Sequence, residues 1–302
     1  MTGPRVSVLI PTYNRAKLVQ GAVASVLDQT FEDFEVLVVV DGSTDGTAKV
    51  LRAGFDDARV RLLEKENGGL ASARNAGIAV ARGAYVALLD DDDRCLPERL
   101  ERQVRALEAR PEATLCLSDA RYEGRGVTPD RATLFAQPDY RTPDSLQAMF
   151  EGAWTLPSVM TFRTRVLKEV GFDASIRCQE DTDFLFRFHR AGHGVIALPD
   201  ILVRYAAAAG EGEGRISEQR ALMDEAYASI YTRNWDAATS EERGRVSRPV
   251  RVSRLLARYH TDRGELKRAR ACWFACWRAR PWRIRLLLRS LRCLVPWGGA
   301  PR

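Results

Sequence analysis

Residues 6–15 read VSVLIPTYNR, residues 36–47 read VLVVVDGSTDGT, and residues 85–93 read YVALLDDDD. In each, a short aliphatic and β-branched run gives way at once to polar residues and turn formers. Runs this apolar, with no polar alternation, suit strands whose sheet is covered on both faces. Val60–Leu63, with Arg61 inside it, reads as a further strand. The strands are thus expected at Val6–Ile10, Val36–Val40, Val60–Leu63 and Tyr85–Leu89. Segments 16–28, 46–53, 70–81 and 97–109 have helical spacing, and Pro97 suits the first turn of the last. Strand–helix–strand alternation at this spacing predicts an α/β fold with a mostly parallel central sheet flanked by helices. Such sheets bind ligands beyond the carboxyl ends of their strands, so the polar residues after each run are where chemistry is expected.

Further along, Ser158–Phe162 reads as a strand and Glu180–Ala191 as a helix. Gly194–Leu198 and Ile201–Tyr205 read as short strands separated by Pro199. Ala206–Gly214 is rich in small residues and reads as a mobile loop. Beyond it, 215–235, 241–260, 264–279 and 282–295 all have helical patterns. The division this suggests is a first domain at 1–210 and a basic helical C-terminal region at 211–302.

The chain has 302 residues, 45% of them hydrophobic and 28% charged, which excludes wholesale disorder. No run of 18 apolar residues occurs, and Met1–Val8 lacks the pattern of a secretory signal, so a cytoplasmic protein is expected. The six cysteines form no CxxC pair and read as reduced, mostly buried thiols. The net charge of +6 is uneven. Residues 243–302 carry 17 Lys and Arg against Asp262 and Glu265, which is +15, and the remainder is −9. Arginine outnumbers lysine 41 to five along the whole chain. That bias reads as composition, and no nucleic-acid partner is expected.

Four polar groups follow the strands: Pro11-Thr12-Tyr13-Asn14-Arg15, Asp41 to Gly46, Asn67 to Gly77, and Asp90 to Asp93. In one sheet they gather at one edge. Together they offer hydrogen-bonding backbone, an arginine suited to phosphate, and carboxylates suited to a divalent ion. Taken alone, the four acids read equally as a solvated turn.

The strings VSVLIPTYNR (6–15), VLVVVDGSTDGT (36–47), NGGLASARNAGI (67–78), ALLDDDDRCLPERL (87–100), SVMTFRTRVLKEVGFD (158–173) and QEDTDFLFRFHRAG (179–192) together resemble glycosyltransferase family 2. The resemblance runs from about 5 to 205. It implies an A-type glycosyltransferase fold, a nucleotide-sugar donor, a divalent cation (Mn or Mg) and inversion at the anomeric carbon. By that resemblance Asp90 and Asp92 form the DxD motif, because Pro97 lies seven residues after Asp90. Asp92 is then the metal ligand, and Asp90 faces the ribose or the metal. Asp41 is expected to accept a hydrogen bond from the base, which favours a UDP-sugar. Pro11, Thr12, Tyr13, Ser43 and Asp91 are expected around the nucleotide, and Arg74 near the base and diphosphate. Asp181 of the ED pair takes the position of the catalytic base. Trp154, Ser158 and Glu180 are expected on the acceptor side, where Trp154 either stacks on a sugar or packs in the core.

One departure stands out. Many family members follow Val-Arg-Tyr with an arginine and a histidine that reaches the metal or diphosphate, whereas here Tyr205 precedes Ala206-Ala207-Ala208-Ala209. A degenerate fold that binds nucleotide or glycan without turnover is therefore a competing reading. A transferase using a polyprenyl-phosphate acceptor is another. In the tail, Ile284, Leu287, Leu288, Leu291, Leu294 and Val295 fall on one helical face, with Arg285, Arg289 and Arg292 opposite. That face either packs on the body or lies on an anionic membrane surface, which suits a glycan or lipid-linked acceptor and a peripheral location.

Overall fold

The computed structural model describes residues 3–124, 132–137, 142–208, 220–246, 250–279 and 284–292. The chain forms two compact units, Met1–Met149 with Ala153–Arg215, and Phe150–Gly152 with Ile216–Arg302.

The first unit is built on eight strands: β1 (Val6–Thr12), β2 (Phe34–Asp41), β3 (Val60–Lys65), β4 (Tyr85–Leu88), β5 (Arg94–Cys95), β6 (Ala113–Gly124), β7 (Met160–Arg163) and β8 (Gly194–Ala208). They lie in one sheet in the order β3-β2-β1-β4-β7-β6-β8-β5. β1, β2, β3 and β4 are parallel neighbours, and β6 pairs in parallel with β8. β7 is antiparallel to both β4 and β6. Every residue of β1 and β2 is buried, as their unbroken apolar runs require. Val8, Ile10, Val23, Val38, Ala87 and Leu100 are among the residues of the core cluster. The α/β sheet flanked by helices is as expected from the sequence.

The helices of this unit are α1 (Ala16–Leu27), α2 (Thr47–Gly54), α3 (Leu70–Val80), α4 (Arg99–Ala109), α5 (Leu146–Phe150, whose last residue belongs to the second unit), α6 (Thr164–Val170) and α7 (Glu180–Arg190). α3 lies close on β1: a Cβ on Gly77 would come within 2.1 Å of Leu9 Cδ1. That approach fixes Arg74 and Asn75 beside the strand ends.

Three local expectations fail. β6 is absent from the sequence reading, because Thr114, Ser118 and Asp119 break its apolar run, although its first eight residues are buried. β8 runs unbroken through Pro199, and Ala206–Ala208 extend it where a loop is expected. Between the pairs Leu117↔Ala197 and Asp119↔Ile201, β8 advances four residues while β6 advances two. This bulge takes up the proline without ending the strand. Pro97 lies before α4, which begins at Arg99. Residues 209–214 of the expected loop lie outside the described residues.

The second unit is helical: α8 (Arg220–Asp236), α9 (Ser240–Arg245), α10 (Val250–Asp262), α11 (Leu266–Ala279) and α12 (Ile284–Arg292). The single helix expected over 241–260 is two. α9 starts on a capping box between Thr239 and Glu242, and Pro249 disfavours helix at the residue before it. Phe150 meets Tyr231 and Trp235 edge-on, at 5.6 and 5.3 Å between ring centroids. α12 differs from the expected face. It buries Leu286 and Ser290, whose hydroxyl donates to Arg270 O at 3.2 Å, while Leu288 and Leu291 remain 49% and 44% exposed. A small polar residue that bonds a backbone carbonyl lets helices approach where a leucine is too large. Among the described residues, no helix is long and apolar enough to cross a membrane.

Candidate functional site

The parallel order of β1, β2 and β4 brings three of the four polar groups of the sequence reading to one edge. The loops after β1 and β2 are tied together. Asn14 N donates to Ser43 Oγ at 3.0 Å, Thr44 N to Asn14 Oδ1 at 2.7 Å, and Ala16 N to Asp45 Oδ2 at 3.1 Å. Asn14 adopts φ +52°, a left-handed conformation that asparagine tolerates better than most residues. Pro11 is buried in β1, and Tyr13 stands exposed beside it.

Asp41 is 3% exposed at the end of β2. Its Oδ1 accepts from Lys65 Nζ at 2.6 Å and Gly68 N at 3.0 Å, and its Oδ2 accepts from Gly69 N at 2.8 Å. The carboxylate therefore holds the loop that opens α3. Reading a base through Asp41 would require it to share these lone pairs. The β2–β3 register sets Lys65 opposite Asp41.

The four acids after β4 differ in their partners, although Asp91 and Asp92 share one. Asp90 Oδ1 accepts from Arg74 Nη2 at 3.0 Å. Asp91 accepts from Thr12 Oγ1 at 2.7 Å and from Arg15 Nη1 at 2.9 Å. Asp92 accepts from the same Arg15 nitrogen at 2.9 Å. Asp93 is fully buried and takes hydrogen bonds from Ser158 Oγ and from Ala206 N at 3.0 Å. Burial raises the carboxyls of Asp90 and Asp93, and holds Asp91 at about 6 against the opposing pull of Arg15 and Thr12. Thr12 thus ties the end of β1 to the acid loop.

Arg74 is 1% exposed. It bridges Asp90 on the β4 loop to Glu180 at the start of α7, and its guanidinium lies 5.3 Å from the Phe172 ring centre. Its burial disfavours the charge, and Asp90, Glu180 and Asp181 more than restore it. Asp181 is pushed up to about 7, by burial first and by Glu180 second, with Arg74 opposing. Asp90 and Asp181 each keep some surface open to solvent, although protein surrounds them closely enough to penalise their charge. Asn75 clamps the segment before α7: its amide donates to Phe172 O at 2.8 Å and its carbonyl accepts from Phe172 N at 2.9 Å. Gln179, at φ +62°, then turns the chain into α7 and sets Glu180 and Asp181 in its first turn.

Two acceptor-side expectations change. Ser158 is fully buried, accepts from Asp90 N at 2.9 Å and donates to Asp93, so it holds the acid loop from behind. Glu180 is buried as the partner of Arg74. Trp154 is partly exposed in the segment before β7. Sequence reasoning misses Arg15, Lys65 and Asn75 as site residues. Their signal was position alone, since each stands in or beside a quoted string.

Among the described residues no three His, Cys, Asp or Glu side chains are grouped to hold a metal. The chemistry of Asp90 and Asp92 fits a magnesium or manganese ion held by one or two carboxylates with the remaining ligands from substrate phosphate and water.

The model for glycosyl transferase family 2 matches residues 7–171. Over 99 residues the chain is 44% identical to the chondroitin synthase of Pasteurella multocida, covering 32% of this chain and 10% of that protein. Over 211 residues it is 27% identical to an uncharacterized glycosyltransferase of Methanocaldococcus jannaschii, covering 68% of this chain and 71% of that one. An uncharacterized glycosyltransferase of Rickettsia bellii shares 43% over 104 residues, and the chain spans only 15% of its length. Among solved structures, S. aureus TarS 1–349 with UDP-GlcNAc is similar at a TM-score of 0.65 and 20% identity, over 96% of this chain and 89% of that one. The mannosyltransferase PcManGT from Pyrobaculum calidifontis, solved with GDP-Man and Mn2+, is similar at 0.62 and 19%, over 98% and 82%. At these identities the structural likeness speaks for the fold.

Proposed function

We propose that this chain, which belongs to glycosyltransferase family 2, transfers a sugar with inversion from a nucleotide-diphospho-sugar, UDP favoured, to a hydroxyl of a glycan or lipid-linked acceptor. Residues 1–210 are the catalytic domain in this reading, and 211–302 a basic helical region. The carrying observation is the chain of contacts Asp90–Arg74–Glu180, with Asp181 beside it at about 7. One buried arginine thereby couples the loop suited to a diphosphate to the carboxylate suited to an acceptor.

The step needs the acceptor oxygen to attack the anomeric carbon while the bond to the diphosphate breaks on the opposite face. The hydroxyl proton passes to Asp181, and the nucleoside diphosphate leaves with the bonding pair. A carboxylate at about 7 is largely ionised just above neutrality, yet basic enough to hold the proton it takes. A divalent cation at Asp92 and Asp90 supplies neutralisation of the diphosphate charge when bound. Tyr13, Ser43 and Asp41 border the nucleotide in this reading, and Trp154 borders the acceptor.

Asp92→Ala is expected to abolish the Mn2+-dependent part of UDP binding, because the diphosphate loses its bridge to the protein. Thermal shifts with UDP, with and without Mn2+, measure this. Turnover that persists undiminished in excess chelator refutes the metal requirement. The alanine tract after Tyr205 favours the second reading, a nucleotide-binding module without turnover. Hydrolysis of a nucleotide-sugar by the purified protein decides between the two.

The basic tail suits a peripheral location at the inner face of a plasma membrane. Leu288 and Leu291 are exposed on α12, within a region carrying a formal +15. Each basic residue near an anionic surface contributes about 1 kcal/mol, which salt screens. The protein is expected to co-sediment with anionic liposomes at low salt, and Leu288→Glu/Leu291→Glu to release it without lowering Tm. Co-sedimentation unaffected by the pair of substitutions removes this face from the interface.

A further inference from the structure

We propose that Arg15 and the divalent cation are alternative counter-ions of Asp92, and that Arg15 transfers its charge to the donor diphosphate when the cation binds. The inference rests on the metal reading above and assigns a role to a residue that the sequence reading left without one.

A single nitrogen, Arg15 Nη1, lies 2.9 Å from Asp91 Oδ1 and 2.9 Å from Asp92 Oδ2. One donor atom bridging two carboxylates from successive residues does electrostatically what a bound cation does. The two cations of the acid loop differ in freedom. Arg74 is 1% exposed and locked between Asp90 and Glu180, whereas the Arg15 side chain is 28% exposed and, among the described residues, pairs with Asp91 and Asp92. Arg15 also stands at the N-cap of α1, with no side-chain cap bond. The positive end of a helix disfavours a cation there, so the carboxylates rather than the helix keep it in place.

A cation on Asp92 would withdraw the attraction that holds Arg15 and bring a like charge beside it. Asp91 keeps the Thr12 hydrogen bond when the guanidinium turns away. The anion that then arrives at the same loop edge is a diphosphate, whose oxygens match the guanidinium fork. The exchange makes metal and nucleotide binding mutually dependent. The protein holds the metal weakly until a nucleotide gives Arg15 another partner, and by linkage each ligand strengthens the other by the same factor.

The test is Mn2+ titration of the full chain followed by electron paramagnetic resonance, with and without UDP, in the wild type, Arg15→Gln, Arg15→Lys and Asp92→Ala. Melting curves check that each variant is folded. Arg15→Gln is expected to tighten Mn2+ alone by about fivefold, since two partly exposed ion pairs no longer oppose it. It should weaken UDP in the presence of Mn2+ by a similar factor, so the coupling between the two ligands contracts. Arg15→Lys, a point charge without the fork, should lie between. If Arg15→Gln leaves Mn2+ affinity unchanged or lowers it while Asp92→Ala abolishes binding, the metal reading stands and the Arg15 exchange is wrong. If the wild type binds no Mn2+ even with UDP, or Asp92→Ala binds it normally, the metal reading falls and this inference with it.

Discussion

Asp181→Asn is expected to keep donor binding and to lose transfer by about 10²–10⁴-fold, the usual contribution of a positioned general base. The amide keeps the size and the hydrogen bond from Thr182 N, but cannot take a proton. In the wild type, kcat/KM should rise with pH through about 7, as Asp181 gives up its proton. Stability should move the other way. The folded state raises this carboxyl from 3.8 to about 7, so between those pH values the native chain holds a proton that the unfolded chain has lost. The contribution is full below about pH 4 and fades as pH rises through 7. Asp181→Asn should accordingly melt higher than the wild type at pH 8 and nearly equal to it at low pH. Transfer at the wild-type rate with either donor, UDP-sugar or GDP-sugar, would place the base elsewhere.

Arg74→Met carries the largest expected loss of stability, about 3–5 kcal/mol near neutral pH. The substitution leaves Asp90 and Glu180 without their shared counter-charge, and Glu180 is buried. Methionine fills part of the space and keeps contact with Phe172. The loss should shrink as pH falls, because protonated carboxyls need no partner. Glu180→Gln added to Arg74→Met should recover part of it, which a double-mutant cycle in urea measures. Additive effects in that cycle would mean the ion pair contributes nothing to the fold.

These two predictions lie on opposite sides of the boundary between sequence and structure. Asp181 was legible from the ED pair within a string of matching neighbours. The joint role of Arg74 was not. Its partner Glu180 is 106 residues away, and no local pattern says which acid a buried cation will meet. Ser158 shows the same limit: its place before a strand suggests an acceptor contact, yet the β4–β7 pairing turns its hydroxyl to the back of the acid loop.

The sequence by itself determined the elements whose causes are local. Unbroken apolar runs made β1, β2 and β4, and the polar residues after them named the loops that carry the site. It also fixed the uneven charge, and through six strings in register the family. Tertiary structure decided what depends on pairing between distant segments. β6, with Ser118 and Asp119 inside it, is a strand because β7 and β8 flank it. β8 passes Pro199 because its neighbour tolerates a bulge there. The four consecutive aspartates were distributed among Thr12, Arg15, Arg74, Ser158 and Ala206, with Asp91 and Asp92 sharing Arg15. The physical reason is range. Strand propensity and turn chemistry act over a few residues, whereas the charge state of a carboxylate depends on burial and on whichever cation the fold brings within 3 Å.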